Sequence, residues 1–114
     1  HHGTFRPEIW MALQYIEERL DGAEQFSADE LADACYLSRK RFSTIFKEAT
    51  GLSPTAYYQR RRVQRSTQLL LDPEKSICDV SHVLGYCDVS HFSNLFKRYR
   101  GITPRQYRQL YFVE

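Results

Sequence analysis

The chain has 114 residues, of which 42% are hydrophobic and 26% are charged, and its formal net charge is +2. This length allows one compact domain or two small fused subdomains, and the hydrophobic share argues against intrinsic disorder. No apolar run approaches the roughly 20 residues of a membrane-spanning helix, so we expect no membrane association.

The chain is predicted to be all helical, with about seven helices. An apolar stripe at helical spacing predicts a first helix that ends near Gly22. The stripe consists of Ile9, Leu13, Ile16 and Leu20. Ser27 and Glu30 form a predicted capping box that begins a second helix.

A third helix is predicted to begin at Ser38, an N-cap residue, and to end at Gly51. Pro54 lies in the first turn of a fourth helix, which meets no breaker until Pro73. About 18 residues at 1.5 Å each predict a rod of roughly 27 Å. The remaining chain predicts a short helix, a turn at residues 85–86, a sixth helix over about 88–100 and a last helix from Pro104.

One motif occurs twice, with every position shifted by 50 residues. The first copy is Phe42-x-x-x-Phe46-Lys47-x-x-x-Gly51-x-Ser53-Pro54-x-x-Tyr57. The second copy is Phe92-x-x-x-Phe96-Lys97-x-x-x-Gly101-x-Thr103-Pro104-x-x-Tyr107. A repeat of this length predicts that one supersecondary unit is used twice.

Each copy fits a helix-turn-helix, whose second helix needs an apolar inner face and a polar outer face for the major groove. The predicted inner residues are Phe42, Ile45, Phe46 and Ala49 in the first copy and Phe92, Leu95, Phe96 and Tyr99 in the second. The predicted outer residues are Arg39, Lys40, Ser43, Thr44 and Lys47, and Val89, Ser90, His91, Ser93, Asn94 and Lys97. A solvated amphipathic helix would explain one copy alone, but two copies with matching spacing favour DNA binding.

The charge is unevenly distributed along the chain. Residues 1–37 contain two arginines and eight acidic residues, a net charge of −6, whereas residues 38–114 have a net charge of +8. A positive region beside a negative one suggests a polyanionic partner for one face. Three cysteines without CxxC spacing favour reduced thiols in the cytoplasm.

From about residue 9 to residue 108, the sequence resembles the DNA-binding domain of AraC/XylS-type transcription regulators. Residues 31–38 resemble the first turn of that family. Residues 85–97 are similar to its signature region, including the extra residue between turn and phenylalanine that the second repeat usually carries. Two positions depart from the pattern, because Tyr36 stands where glycine is usual and Ser81 where alanine is common.

The resemblance implies two helix-turn-helix (homeodomain-like) subdomains joined by a long linker helix, both facing the same side of the DNA. We expect the first subdomain over residues 8–53, the linker helix over 54–72 and the second subdomain over 73–111. The predicted rod suits recognition helices about one turn of B-DNA apart, roughly 34 Å. The resemblance also implies that an effector-sensing or dimerisation domain normally precedes this segment.

The outer residues are assigned by side-chain chemistry. We expect base contacts from Lys40, Ser43, Thr44, Ser90, Ser93 and Asn94. We expect phosphate contacts from Arg39, Lys47, His91 and Lys97. Arg60, Arg61, Arg62 and Arg65 lie on the long helix. The three consecutive arginines point about 100° apart in succession, so we expect at least two of them to have structural or solvated roles.

The predicted function is sequence-specific binding of double-stranded DNA by a bacterial, cytoplasmic transcription regulator, expected to be an activator that alters RNA polymerase recruitment. We expect no enzyme activity, cofactor or metal. Cys78 with His82 and Cys87 with His91 have suggestive spacing for zinc, but His91 lies on the expected DNA face. A helical protein-interaction module and a non-specific DNA architectural protein remain alternatives. The operator, the effector and the choice between activation and repression stay open.

Overall fold

The computed structural model describes residues 6–20 and 26–112. These residues form seven α-helices and no strand, which confirms the all-helical prediction. The helices are α1 Pro7–Glu18, α2 Ala28–Ala34, α3 Arg39–Thr50, α4 Pro54–Leu70, α5 Ile77–Val83, α6 Val89–Arg100 and α7 Pro104–Tyr111. Within the same ranges, no helix is long and apolar enough to cross a bilayer.

The first helix differs in detail from its prediction. It ends at Glu18, and the next residue, Arg19, leaves helical geometry with φ −110°. The Arg19 guanidinium lies 3.7 Å from the centre of the Tyr15 ring. The predicted end near Gly22 lies outside the described residues. The buried stripe of α1 consists of Ile9, Ala12 and Ile16, with Leu13 half-buried.

Side-chain caps determine where most of the other helices begin. The Ser27 hydroxyl accepts the Glu30 N–H at 3.2 Å, but the Glu30 carboxylate accepts the Tyr15 hydroxyl at 3.2 Å instead of closing the predicted capping box. Ser76 and Thr103 form complete boxes at the starts of α5 and α7. Each cap satisfies backbone donors that a helix start otherwise leaves unpaired.

The described residues form two compact units. The first unit contains residues 6–19 and 26–58, and the second contains residue 20 and residues 59–112. Helix α4 therefore contributes residues 54–58 to the first unit and the remainder to the second. The subdomain boundaries expected from the sequence stay a prediction.

The repeated motif forms the same aromatic cluster in each unit. In the first unit, the Phe46 ring lies 5.4 Å from that of Tyr57 in a T-shaped arrangement. In the second, Phe96 and Tyr107 form the equivalent pair at 5.6 Å. Such edge-to-face pairs contribute about 0.5–1.5 kcal/mol beyond the area they bury. The motif therefore fixes its helix against the helix that follows it.

The turn between α2 and α3 has the same geometry as the turn between α5 and α6, but one of the two has an unfavourable residue. In the second unit Gly85 has φ +82°, and the N–H of the next residue bonds to the Ser81 carbonyl at 3.1 Å. In the first unit Tyr36 occupies the same place with φ +59°, followed by a bond from Leu37 N–H to the Ala32 carbonyl at 3.0 Å. Both turns are Schellman motifs, which favour glycine at this residue. Tyr36 therefore carries backbone strain that Gly85 does not.

Replacing Tyr36 with glycine is expected to raise the free energy of unfolding by about 1 kcal/mol. The left-handed conformation costs a non-glycine residue about 1–2 kcal/mol, and the flexibility of glycine in the unfolded chain offsets part of that gain. Urea denaturation measures the change. Gly85→Ala is the reverse control and should destabilise the protein, since Gly85 has φ +82°. If Tyr36→Gly left the urea midpoint unchanged, the strain assigned to Tyr36 would be wrong.

Candidate nucleic-acid interface

Two helices of 12 residues each carry the residues singled out as DNA contacts. Helix α3 begins where the Ser38 hydroxyl accepts the Arg41 N–H at 3.1 Å, and α6 begins where the Asp88 carboxylate accepts the His91 N–H at 2.7 Å. Both helices end at a glycine with φ +85°. An α-helix with its side chains is about 10–12 Å in diameter, which suits a major groove about 12 Å wide.

The inner faces of both helices are buried as predicted. Six side chains are at most 7% exposed: Phe42, Ile45 and Phe46 in α3, and Phe92, Leu95 and Phe96 in α6. Ala49 and Tyr99 are half-buried at the margins of these faces. Because each inner face is held in a core, the opposite face of each helix is left to solvent.

The six residues expected to contact bases occupy matching positions. Lys40, Ser43 and Thr44 have the spacing i, i+3, i+4, so they share one face of α3. The same spacing places Ser90, Ser93 and Asn94 on one face of α6. Four of the six side chains are exposed, and the two serines at 43 and 93 are half-buried. Each unit therefore presents a short polar surface of the size of a few base edges.

The hydroxyl of Thr44 already has a partner. It donates to the Lys40 carbonyl one turn earlier at an O···O distance of 3.0 Å. Since a hydroxyl has one proton and two lone pairs, Thr44 keeps its acceptor capacity and its methyl group for a ligand. These groups suit an exocyclic amine or a thymine methyl better than an acceptor on a base edge.

The four residues expected to contact phosphates are all exposed: Arg39, Lys47, His91 and Lys97. Arg39 forms an ion pair with Asp29 at 3.6 Å, and both side chains are largely solvated. An exposed pair of this kind contributes about 0–1 kcal/mol, so exchanging Asp29 for a phosphate costs little. The His91 ring lies 5.6 Å from that of Tyr86 in a tilted arrangement.

Two further basic residues bear on the site. Arg41 is exposed in the first turn of α3 and was assigned no contact from the sequence. Its place directly after Arg39 and Lys40 was the signal that would have marked it as a third cation of this turn. The Arg62 guanidinium lies 4.1 Å from the centre of the Tyr86 ring, which in turn lies 5.2 Å from Phe92. Arg62 therefore supports the base of α6, a structural role as expected for part of the arginine run.

The cysteine and histidine residues do not form a metal site in the described part of the chain, where no three residues among His, Cys, Asp and Glu are grouped to hold an ion. Cys35 is buried, and burial, assisted by the nearby Glu8 carboxylate, raises the pKa of its thiol. A neutral thiol packs as a small apolar group and is a poor nucleophile. Cys78 and Cys87 are exposed.

The chain matches known proteins along most of its length. A family model described as a helix-turn-helix domain matches residues 31–110. The chain is 35% identical over 107 residues to the HTH-type transcriptional regulator GbdR of Pseudomonas aeruginosa, a match that covers 94% of this chain and 29% of that protein. The chain spans about a third of the length of the curated relatives it matches.

Two solved structures show the same fold. An AraC-type transcriptional regulator from Chromobacterium violaceum is 30% identical with a TM-score of 0.82, over 95% of this chain and 96% of that one. The DNA-binding domain of AdpA, a global transcriptional factor solved in complex with a target DNA, is 27% identical with a TM-score of 0.83, over 93% of this chain and 94% of that one.

Proposed function

The chain belongs to the AraC-type helix-turn-helix family of transcription regulators, whose members are not enzymes, and from this we propose that it binds double-stranded DNA sequence-specifically. The observation that carries the proposal is the repeated outer face of α3 and α6. The face of α3 presents Lys40, Ser43 and Thr44, and that of α6 presents Ser90, Ser93 and Asn94. Exposed basic residues lie beside both sets, while the opposite face of each helix is buried. This arrangement separates base contacts from phosphate contacts, as groove recognition requires.

In the proposed complex, α3 and α6 dock in adjacent major-groove segments of one promoter. Lys40, Ser43 and Thr44 contact bases from α3, and Ser90, Ser93 and Asn94 contact bases from α6. Arg39, Lys47, His91 and Lys97 hold phosphates. The 17 residues of α4 span about 26 Å, which is of the order of one turn of B-DNA, roughly 34 Å.

The regulatory part of the proposal concerns a longer protein. We propose that an effector-sensing or dimerisation domain precedes these residues and that the bound protein alters RNA polymerase recruitment in a bacterial cytoplasm. The matched relatives are about three times as long as this chain, which leaves room for such a domain.

Binding assays across salt concentration and duplex sequence test the DNA-binding proposal. A specific regulator should lose affinity steeply as salt rises and should prefer selected duplexes over shuffled ones by about 10³-fold or more. A non-specific architectural protein would show the salt dependence without the preference. A protein-interaction module would show no preference among duplexes, and an unlabelled selected duplex would not displace a labelled one from it.

Replacing Lys47 with alanine is expected to weaken binding to all duplexes alike and to reduce the slope of log K against log salt by about one unit. Lys47 is exposed one turn before the end of α3, where a single phosphate contact releases about one counterion. Fluorescence anisotropy at four or more salt concentrations measures the slope. Lys75→Ala, a lysine outside both recognition helices, is the matched control. An unchanged slope for Lys47→Ala would remove Lys47 from the phosphate contacts.

A further inference from the structure

Tyr36 combines a strained backbone with a side chain that is hardly buried. Its φ of +59° is the one positive value for a non-glycine residue in the described chain, and its side chain is 95% exposed. Core packing therefore does not compensate for the strain, as it usually does where a bulky residue adopts this conformation. Residues with a strained backbone are concentrated at sites of binding and catalysis.

The comparison with the second unit isolates what the tyrosine adds. There the same Schellman turn has Gly85, and the aromatic ring comes one residue later, where Tyr86 is 6% exposed in the core. In the first unit the tyrosine is at the turn position itself and is exposed to solvent, and the half-buried Leu37 follows it. An outward phenol at this turn is therefore a feature of the first unit alone.

The surroundings of Tyr36 favour an anionic ligand. The residue lies two positions before the N-cap Ser38, and the first turn of α3 has three exposed cations. These are Arg39, Lys40 and Arg41. The first turn of α6 has Val89, Ser90 and His91 in the equivalent places. Arg39 pairs with Asp29, and the exposed Asp33 lies three residues before the tyrosine, but the three cations lie within five residues of the phenol and attract phosphate to it. An acidic protein surface would lack the regular array of acceptors that DNA offers.

We propose that Tyr36 is a DNA contact, whose phenol hydroxyl donates a hydrogen bond to a backbone phosphate beside the groove segment that α3 occupies. The inference rests on the proposed DNA binding and adds a neutral donor to its cationic contacts. A tyrosine hydroxyl is a common donor to phosphate oxygens. Because it carries no charge, this contact adds affinity without adding to the counterion release that sets the salt slope.

Two variants separate the hydroxyl from the strain. Tyr36→Phe keeps the ring and the strained backbone, and it should weaken binding by about tenfold, a typical loss for a hydrogen bond to a charged group. Tyr36→Gly should weaken binding at least as much while raising the urea midpoint. Both variants should keep the wild-type salt slope and base preference, unlike Lys47→Ala.

Anisotropy titrations of wild type, Tyr36→Phe and Tyr36→Gly on one selected duplex decide the matter. Wild-type affinity in Tyr36→Phe would overturn the proposal, because the hydroxyl would then make no contact with DNA. Wild-type affinity in Tyr36→Gly would overturn it equally. If the wild-type protein itself showed no preference among duplexes, the proposed function would fail first, so the two failures are distinguishable.

Discussion

Replacing Phe96 with alanine is expected to lower the free energy of unfolding by about 3–5 kcal/mol. The Phe96 side chain is fully buried in the second unit, where its ring lies 5.9 Å from that of Phe92 and 5.6 Å from that of Tyr107. Removing it leaves a cavity and breaks the aromatic cluster that fixes α6 against α7. Since domains of this size have a total stability of about 5–15 kcal/mol, much of the margin would be lost.

Chemical denaturation followed by circular dichroism measures the effect of Phe96→Ala. Phe112→Ala is the matched control, because Phe112 is 40% exposed and its removal should change stability by less than about 1 kcal/mol. Equal effects of the two substitutions would show that the inner face of α6 is not anchored as described. We also expect the destabilised variant to lose the base preference that α6 supplies, at temperatures where α3 still binds.

Replacing Asn94 with alanine is expected to relax the base preference at one operator position by about 1–3 kcal/mol, or about fivefold to 150-fold. An amide side chain can bond an adenine edge with two hydrogen bonds, which no methyl group replaces. Asn94 is exposed on α6, and it shares one face with Ser90 and Ser93. Its neighbours on that face are both hydroxyl residues, so we expect the amide to discriminate between bases more strongly than they do.

Affinities for four duplexes that differ at a single position measure the effect of Asn94→Ala. Gln109→Ala is a suitable control, since Gln109 is an exposed amide in α7 of the same unit. We expect the control to keep both affinity and preference. An unchanged preference in Asn94→Ala at every operator position would exclude a base contact by this residue.

The helix boundaries were largely predictable because capping residues are local. Ser38, Gly51 and Gly101 act through their own backbone or side chain on residues at most four positions away. Such signals do not depend on the rest of the fold. The repeat added a second, independent copy of the same signals, which is why the helix-turn-helix could be recognised in both units.

The contacts that could not be predicted join residues that are distant in sequence. The carboxylate of Glu30 could not be assigned to Tyr15 without knowing that α1 passes beside α2. The position of Arg62 over Tyr86 depends on the packing of α4 against the turn before α6. The strain at Tyr36 is local, but it could be recognised only from the dihedral angle, because the sequence showed no more than an unusual residue in a turn.

A selection of bound duplexes from a random pool tests the central claim most directly. If both recognition helices contact bases, the enriched sequences should contain two preferred blocks whose centres lie about 10 base pairs apart, on one face of the duplex. A single short block, or a pool that binds in a salt-dependent way without enrichment, would contradict the account.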